Sequence, residues 1–132
     1  MNPPTFLTAS AFVALGGGIG AWARYAMGRL IGPTDFPYAT LTINVLGSFA
    51  MGLLAGWLAR HGSTGNLGGE TWRLLLGVGL LGGFTTFSAF SLELVLMIQR
   101  GTLGLAASYA LISVLGGVLG LIFGLCVMRA VG

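Results

Sequence analysis

Charge placement divides this chain into four apolar runs. No charged residue lies between Met1 and Arg24, between Asp35 and Arg60, between Arg73 and Glu93, or between Arg100 and Arg129. A helix needs about 20 apolar residues to cross a hydrocarbon layer, and each interval is about that long or longer. The pattern predicts four transmembrane helices. The first covers roughly Phe6–Ile31 and is stopped by Gly32-Pro33, and the second covers roughly Pro37–Ala59. The third covers roughly Thr71–Gln99, and the fourth follows a tight Arg100-Gly101-Thr102 turn and ends near Arg129. A polar, glycine-rich stretch from Arg60 to Glu70 reads as the longest surface connection. Residues 1–132 are therefore expected to form one four-helix transmembrane domain of the all-α class, without a soluble domain.

Composition agrees with lipid as the solvent. The chain is 55% hydrophobic and 7% charged, against about 25% charged in an ordinary soluble domain. The start, MNPPTFLTAS, lacks the basic segment and small-residue cleavage site of a signal peptide, so its apolar run is expected to be the first helix of the mature protein. Trp57 and Trp72 fall near predicted membrane boundaries, where indole rings settle. Many glycines recur four apart, such as Gly16/Gly20, Gly52/Gly56 and Gly116/Gly120/Gly124, which lets helix backbones approach closely in lipid. Cys126 has no partner for an internal disulfide and reads as buried packing. The six arginines stand singly and there is no lysine, which excludes a clustered nucleic-acid surface. No nucleophile–base pair or metal-ligand cluster occurs, and His61 sits alone in the polar stretch, so the sequence does not read as an enzyme.

Orientation is the informative feature of the charges. Four spans put both termini and the middle connection on one side, with Arg60, Arg73 and Arg129. The opposite side holds Arg24, Arg29 and Arg100. Three against three gives the positive-inside rule nothing to act on. A chain of that kind can insert both ways, and opposed copies can pair about a two-fold axis in the membrane plane. A small uncounted bias, or an insertion factor, would instead fix one orientation. Four helices are also few for a private pathway across the bilayer, which favours a dimer on size alone.

The third run contains GGFTTFSAFSLE, residues 82–93. Paired glycines weaken a helix, and Thr85-Thr86 offer the backbone alternative hydrogen bonds. The segment is thus a candidate break in helix three near mid-membrane, tolerated only where protein or a watery cavity covers it. Carbonyls exposed at a break could coordinate a cation, above all where two copies meet. The alternative is a continuous helix whose glycines admit a neighbour. Beyond it, Phe87 and Phe90 share a face, Ser91 and Glu93 follow, helix four carries Tyr109 and Ser113, and helix two carries Asn44. Hydroxyl and amide hydrogens donate to anions, and ring edges are positive. This lining suits a narrow anion pathway, with Arg24 raising anion concentration at its mouth. Each residue also has a plainer reading: core packing for the phenylalanines, snorkelling for Arg24, interhelical bonding for Asn44. Glu93 would be a solvated or paired carboxylate, and Arg100, seven residues on, shares its face.

These residues resemble one known family. GGFTTFSAFSLE is similar to the third-helix signature of the Fluc (CrcB) fluoride channels. The segments GAWARY at 20–25 and TLTINVLG at 40–47, with Tyr109 and Ser113, resemble that family's other elements in the right order. The resemblance implies a passive, selective fluoride channel exporting fluoride across the bacterial cytoplasmic (inner) membrane. It implies an antiparallel, dual-topology homodimer with two pores. By position, Phe87 and Phe90 match the paired phenylalanines, and Asn44 matches the helix-two amide. Thr86 and Ser91 match hydroxyls of the polar track, Tyr109 and Ser113 the helix-four lining, Glu93 the helix-three carboxylate and Arg24 the vestibule arginine. Gly82 and Thr85 match positions whose backbone carbonyls hold a structural sodium ion at the dimer interface. The chain departs at Gly117, where family members can have a hydroxyl one turn after Ser113. The implied partners are fluoride, a second copy and membrane lipid. The rival four-helix dual-topology class, the proton-coupled small multidrug resistance transporters, requires a carboxylate in helix one, and this helix one has only Arg24 and Arg29.

Overall fold

The computed structural model describes residues 4–62 and 68–131. Four helical spans are long and apolar enough to cross a membrane: Phe6–Ile31, Tyr38–His61, Gly68–Gln99 and Leu103–Val131. The chain is accordingly an all-helical, multi-pass membrane protein. The polar residues 63–67, part of the expected surface connection, lie outside the described residues.

Helix α1 (Phe6–Ile31) begins at Thr5, whose hydroxyl accepts from the Thr8 amide. It stops at Gly32, which has φ 74° and donates its N–H back to the Gly28 carbonyl. That left-handed conformation is open to glycine without steric cost, and Pro33 prevents continuation. Helix α2 (Tyr38–His61) starts directly after Pro37 and runs two residues past the expected Ala59. The third span starts at Gly68 instead of Thr71, and Glu70 and Arg73 form an i,i+3 ion pair on this added turn.

Within the third span, α3 (Gly68–Trp72) passes into a π-helical stretch, Arg73–Leu81, and then a single α turn, α4 (Gly82–Phe84). Helix α5 (Phe87–Gln99) completes the span. The turn to α6 (Leu103–Val131) is closed by Gly101, at φ 77°, and by Thr102, whose amide and hydroxyl both donate to the Met97 carbonyl.

Two tight helix pairs organise the molecule. Helix α1 lies against the π stretch and α4, and α2 lies against α6. Both seams are lined by glycine. A Cβ at Gly16 or Gly20 would overlap the Leu75 or Leu80 carbonyl, and one at Gly52 would overlap that of Leu121. Small residues allow this approach where helices associate in lipid by van der Waals contact. Large apolar side chains such as Leu111, Leu119 and Phe123 instead face outward, as lipid-facing positions do. Cys126 is also exposed, which corrects the expectation of a buried thiol. One cluster of buried side chains stands apart from the seams, where Met97, Ala106 and the fully enclosed Tyr109 pack with Phe36, Leu41, Phe90 and Leu94.

Candidate functional site

Thr85 and Thr86 have extended backbone, with φ/ψ of −75°/160° and −151°/122°. The position follows from local competition. Thr85 donates its amide and its hydroxyl to the Leu81 carbonyl, which closes the turn behind it. Thr86 accepts the Ala89 amide on its hydroxyl and so caps α5. Asn44 then holds the exposed peptide. Its Nδ2 donates to the Thr86 carbonyl at 2.9 Å, and its Oδ1 accepts the Thr86 amide at 2.8 Å. The Thr85 carbonyl accepts from Arg24 Nη1 at 3.1 Å. Arg24 is therefore anchored on this peptide instead of reaching toward an interface.

Gly47, one helical turn after Ile43 on α2, makes room for this arrangement. A Cβ there would overlap the Thr85 methyl. Asn44, Ser48, Thr85, Thr86 and Phe87 line an open pocket of about 220 Å³. Ser48 escaped the sequence reading, although it stands four residues after Asn44 and so on the same face. It also lies against Gly117, where a Cβ would come within 3.4 Å of its hydroxyl. Sequence spacing within α2 was the available signal.

From the pocket, a chain of aromatic rings leads along α5. Phe87 is 80% exposed and 5.8 Å from Phe90, which is 5.1 Å from Tyr109 between ring centroids. Phe36 meets Tyr109 nearly edge-on, at 5.4 Å and 80°. Phe36, from the α1–α2 connection, was also missed, since it has no periodic relation to helix three.

Glu93 lies beside this chain. Its carboxylate accepts the Thr40 hydroxyl and the Tyr109 phenol, each at 2.7 Å. Glu93 and Arg100 both border a second pocket of about 240 Å³ near Asp35. Their shared helical face does not make them partners, because Arg73–Glu70 is the one ion pair among the described residues. Ser91 donates its hydroxyl to the Phe87 carbonyl, one turn back. The Ser113 hydroxyl is buried and has no hydrogen-bond partner within the chain. The structure thus brings Asn44, Thr86, Phe87 and Arg24 together at one peptide, and Phe90, Tyr109 and Glu93 at a second, adjoining cluster.

The hydrogen bonds around the backbone carbonyls of Gly82 and Thr85 bear on their fitness as cation ligands. In a regular helix each would accept the amide four residues on. The Thr86 amide goes to Asn44 and the Ala89 amide goes to the Thr86 hydroxyl, so both carbonyls lose that donor. They suit a hard cation in kind, although Thr85 shares its oxygen with Arg24.

The profile of the family described as "CrcB-like protein, Camphor Resistance (CrcB)" matches residues 11–125. A protein of Novosphingobium aromaticivorans named "Fluoride-specific ion channel FluC" is 62% identical over 130 residues, covering 95% of this chain and 99% of the relative. Proteins of the same name from Caulobacter vibrioides and Phenylobacterium zucineum are each 53% identical. They cover 90% and 95% of this chain, and 94% and 98% of their own length, respectively.

Proposed function

The chain belongs to the CrcB-like family, and from that membership we propose that it is a passive, selective fluoride channel exporting fluoride across the bacterial cytoplasmic membrane. The observation that carries the reading is the 62% identity, over nearly the whole of both chains, to a relative named as a fluoride-specific channel. The residues around Thr86 give it a physical basis. An extended peptide, an amide-bearing side chain and the Ser48 hydroxyl border one pocket, and a file of aromatic rings begins at its edge.

In this reading helix three is broken near mid-membrane. Thr85 and Thr86 lie 13 or more residues from either end of the third span. Exposure of their polar atoms to hydrocarbon would cost several kcal/mol. A second copy, inserted in the opposite sense, would cover them. The open pocket and the outward Phe87 ring are the features such a copy would complete. Arginines at both ends, Arg29 and Arg100 at one and Arg60, Arg73 and Arg129 at the other, permit that pairing.

Fluoride would pass Phe87 and Phe90 at their positive edges and meet hydroxyl donors from Thr86 and Ser113. Ser91 and Tyr109 line the path and would donate only on turning from the Phe87 carbonyl and Glu93. Asn44 holds the broken peptide open, Arg24 attracts anions toward it, and Glu93 orients Tyr109 through their hydrogen bond. A structural sodium ion would sit where the Gly82 and Thr85 carbonyls of both copies converge, adding fixed positive charge to the dimer centre. The driving force needs no coupled reaction. A membrane potential negative inside favours anion exit by about 2.3 kcal/mol per 100 mV.

The test uses liposomes holding only the purified protein and loaded with potassium fluoride. Fluoride should leave rapidly once valinomycin lets potassium follow, while chloride in a parallel preparation is retained. Equal release of both halides, or none from folded protein, would overturn selective, self-sufficient conduction.

A further inference from the structure

A third pocket lies apart from the Thr86 peptide and from Glu93, at the membrane end that carries the Trp57 and Trp72 rings. Leu53, Leu54, Trp57, Trp72, Leu76 and Met128 line a groove of about 370 Å³ without a polar surface atom. The two indoles meet edge to face at 6.1 Å. Three helical spans contribute to the groove, so it is a product of the fold and not of one helix face.

The rim has the opposite character. Arg60 follows Trp57 by one turn, Arg73 adjoins Trp72, and Arg129 adjoins Met128. The Arg60 guanidinium donates to the Arg129 carbonyl at 2.7 Å, which draws these two residues together at the end of α6. Glu70 offsets Arg73. Arg60 and Arg129 have no ion-pair partner among the described residues. A guanidinium has five N–H donors, so Arg60 retains several after capping the helix.

An apolar slot under an uncompensated cationic rim, with tryptophans at the headgroup level, matches one kind of occupant. We infer that this groove binds an anionic phospholipid, one acyl chain lying in the slot and the phosphate on Arg60 and Arg129. A zwitterionic lipid fits the slot but gains less at the rim, because its own cation competes for the same phosphate. A neighbouring copy of the chain would satisfy the slot and leave the arginines without anions.

Tryptophan quenching by brominated lipids separates these cases. Trp22 is exposed on α1, so all samples carry Trp22→Phe, leaving Trp57 and Trp72 as reporters. At equal mole fraction, brominated phosphatidylglycerol should displace unlabelled lipid from the groove more strongly than brominated phosphatidylcholine. A charge contact at the membrane surface corresponds to about a five-fold preference per arginine. The preference should vanish in Arg60→Gln/Arg129→Gln while quenching by both lipids persists. High salt should reduce it in protein with both arginines, which decides the matter should the double variant misfold. Equal quenching by the two lipids, or a preference that survives both loss of the arginines and high salt, would overturn the inference. Absence of quenching by either would show the groove filled by protein instead.

Discussion

Asn44 and Phe87 border the same pocket in different ways, and substitution separates them. Both polar atoms of Asn44 are committed to Thr86. Asn44→Ala leaves a partly buried amide and carbonyl unpaired, which costs about 1–3 kcal/mol for each group. Asn44→Asp keeps an acceptor for the Thr86 amide but sets a carboxylate against the Thr86 carbonyl. Both variants should therefore melt earlier in detergent and lose most fluoride flux. Flux loss at unchanged melting temperature would mean that Asn44 contacts the ion without holding the peptide. Phe87, being 80% exposed in the chain, contributes little to the fold of one copy. Phe87→Ile should abolish flux, with unfolding of the single chain almost unaltered. Phe90→Ile should also lower stability, since Phe90 packs on the enclosed Tyr109. Normal flux in both isoleucine variants would remove the ring-edge pathway.

At the scale of elements, the helix seams make a sharper claim than the spacing of glycines does. Gly18 and Gly20 stand on the same helix, two residues apart. A Cβ at Gly18 meets nothing within 4 Å, whereas one at Gly20 overlaps the Leu80 carbonyl and lies 2.8 Å from the Phe84 amide. Backbone atoms of a packed span cannot step aside, so Gly20→Ala should cost at least the ~1–3 kcal/mol typical of overpacking. Gly18→Ala should be neutral or mildly stabilising. Size-exclusion profiles and melting curves of the pair, prepared in parallel, check this. Equal behaviour would mean that α1 does not pack through its Gly20 face.

The same seams show how far sequence carries. Charge spacing located all four spans, because desolvation of charge acts residue by residue and needs no tertiary knowledge, and Gly32-Pro33 set the observed end of α1 at Ile31. The π-helical register of Arg73–Leu81 was not legible, since it depends on which carbonyl each amide finds, and no residue type encodes it. Glu93 was read against Arg100, its helical neighbour, whereas its actual donors lie on α2 and α6. Asn44 was identified as a site residue from its chemistry, but its reciprocal grip on a peptide 42 residues away was beyond any local pattern.

At the scale of the whole molecule, the proposed antiparallel pairing rests on the arginine balance, and that balance can be unset. Removing two charges from one end, in Arg29→Gln/Arg100→Gln, leaves that half with only Arg24, which is anchored on the Thr85 carbonyl, against three. Removing two from the other, in Arg60→Gln/Arg73→Gln, reverses the ratio. The positive-inside rule then acts, and in opposite senses. Each variant expressed alone should insert one way, as read by reporter fusions at the C-terminus, and should conduct little fluoride because it lacks an opposed partner. Their co-expression should restore both the dimer and most of the flux, since each supplies the orientation that the other lost. Rescue by mixing is the decisive outcome, because independent folding defects in the two variants would not cure one another. A variant that inserts uniformly and yet conducts normally by itself would show that the working unit needs no inverted copy, and the antiparallel dimer would have to be abandoned.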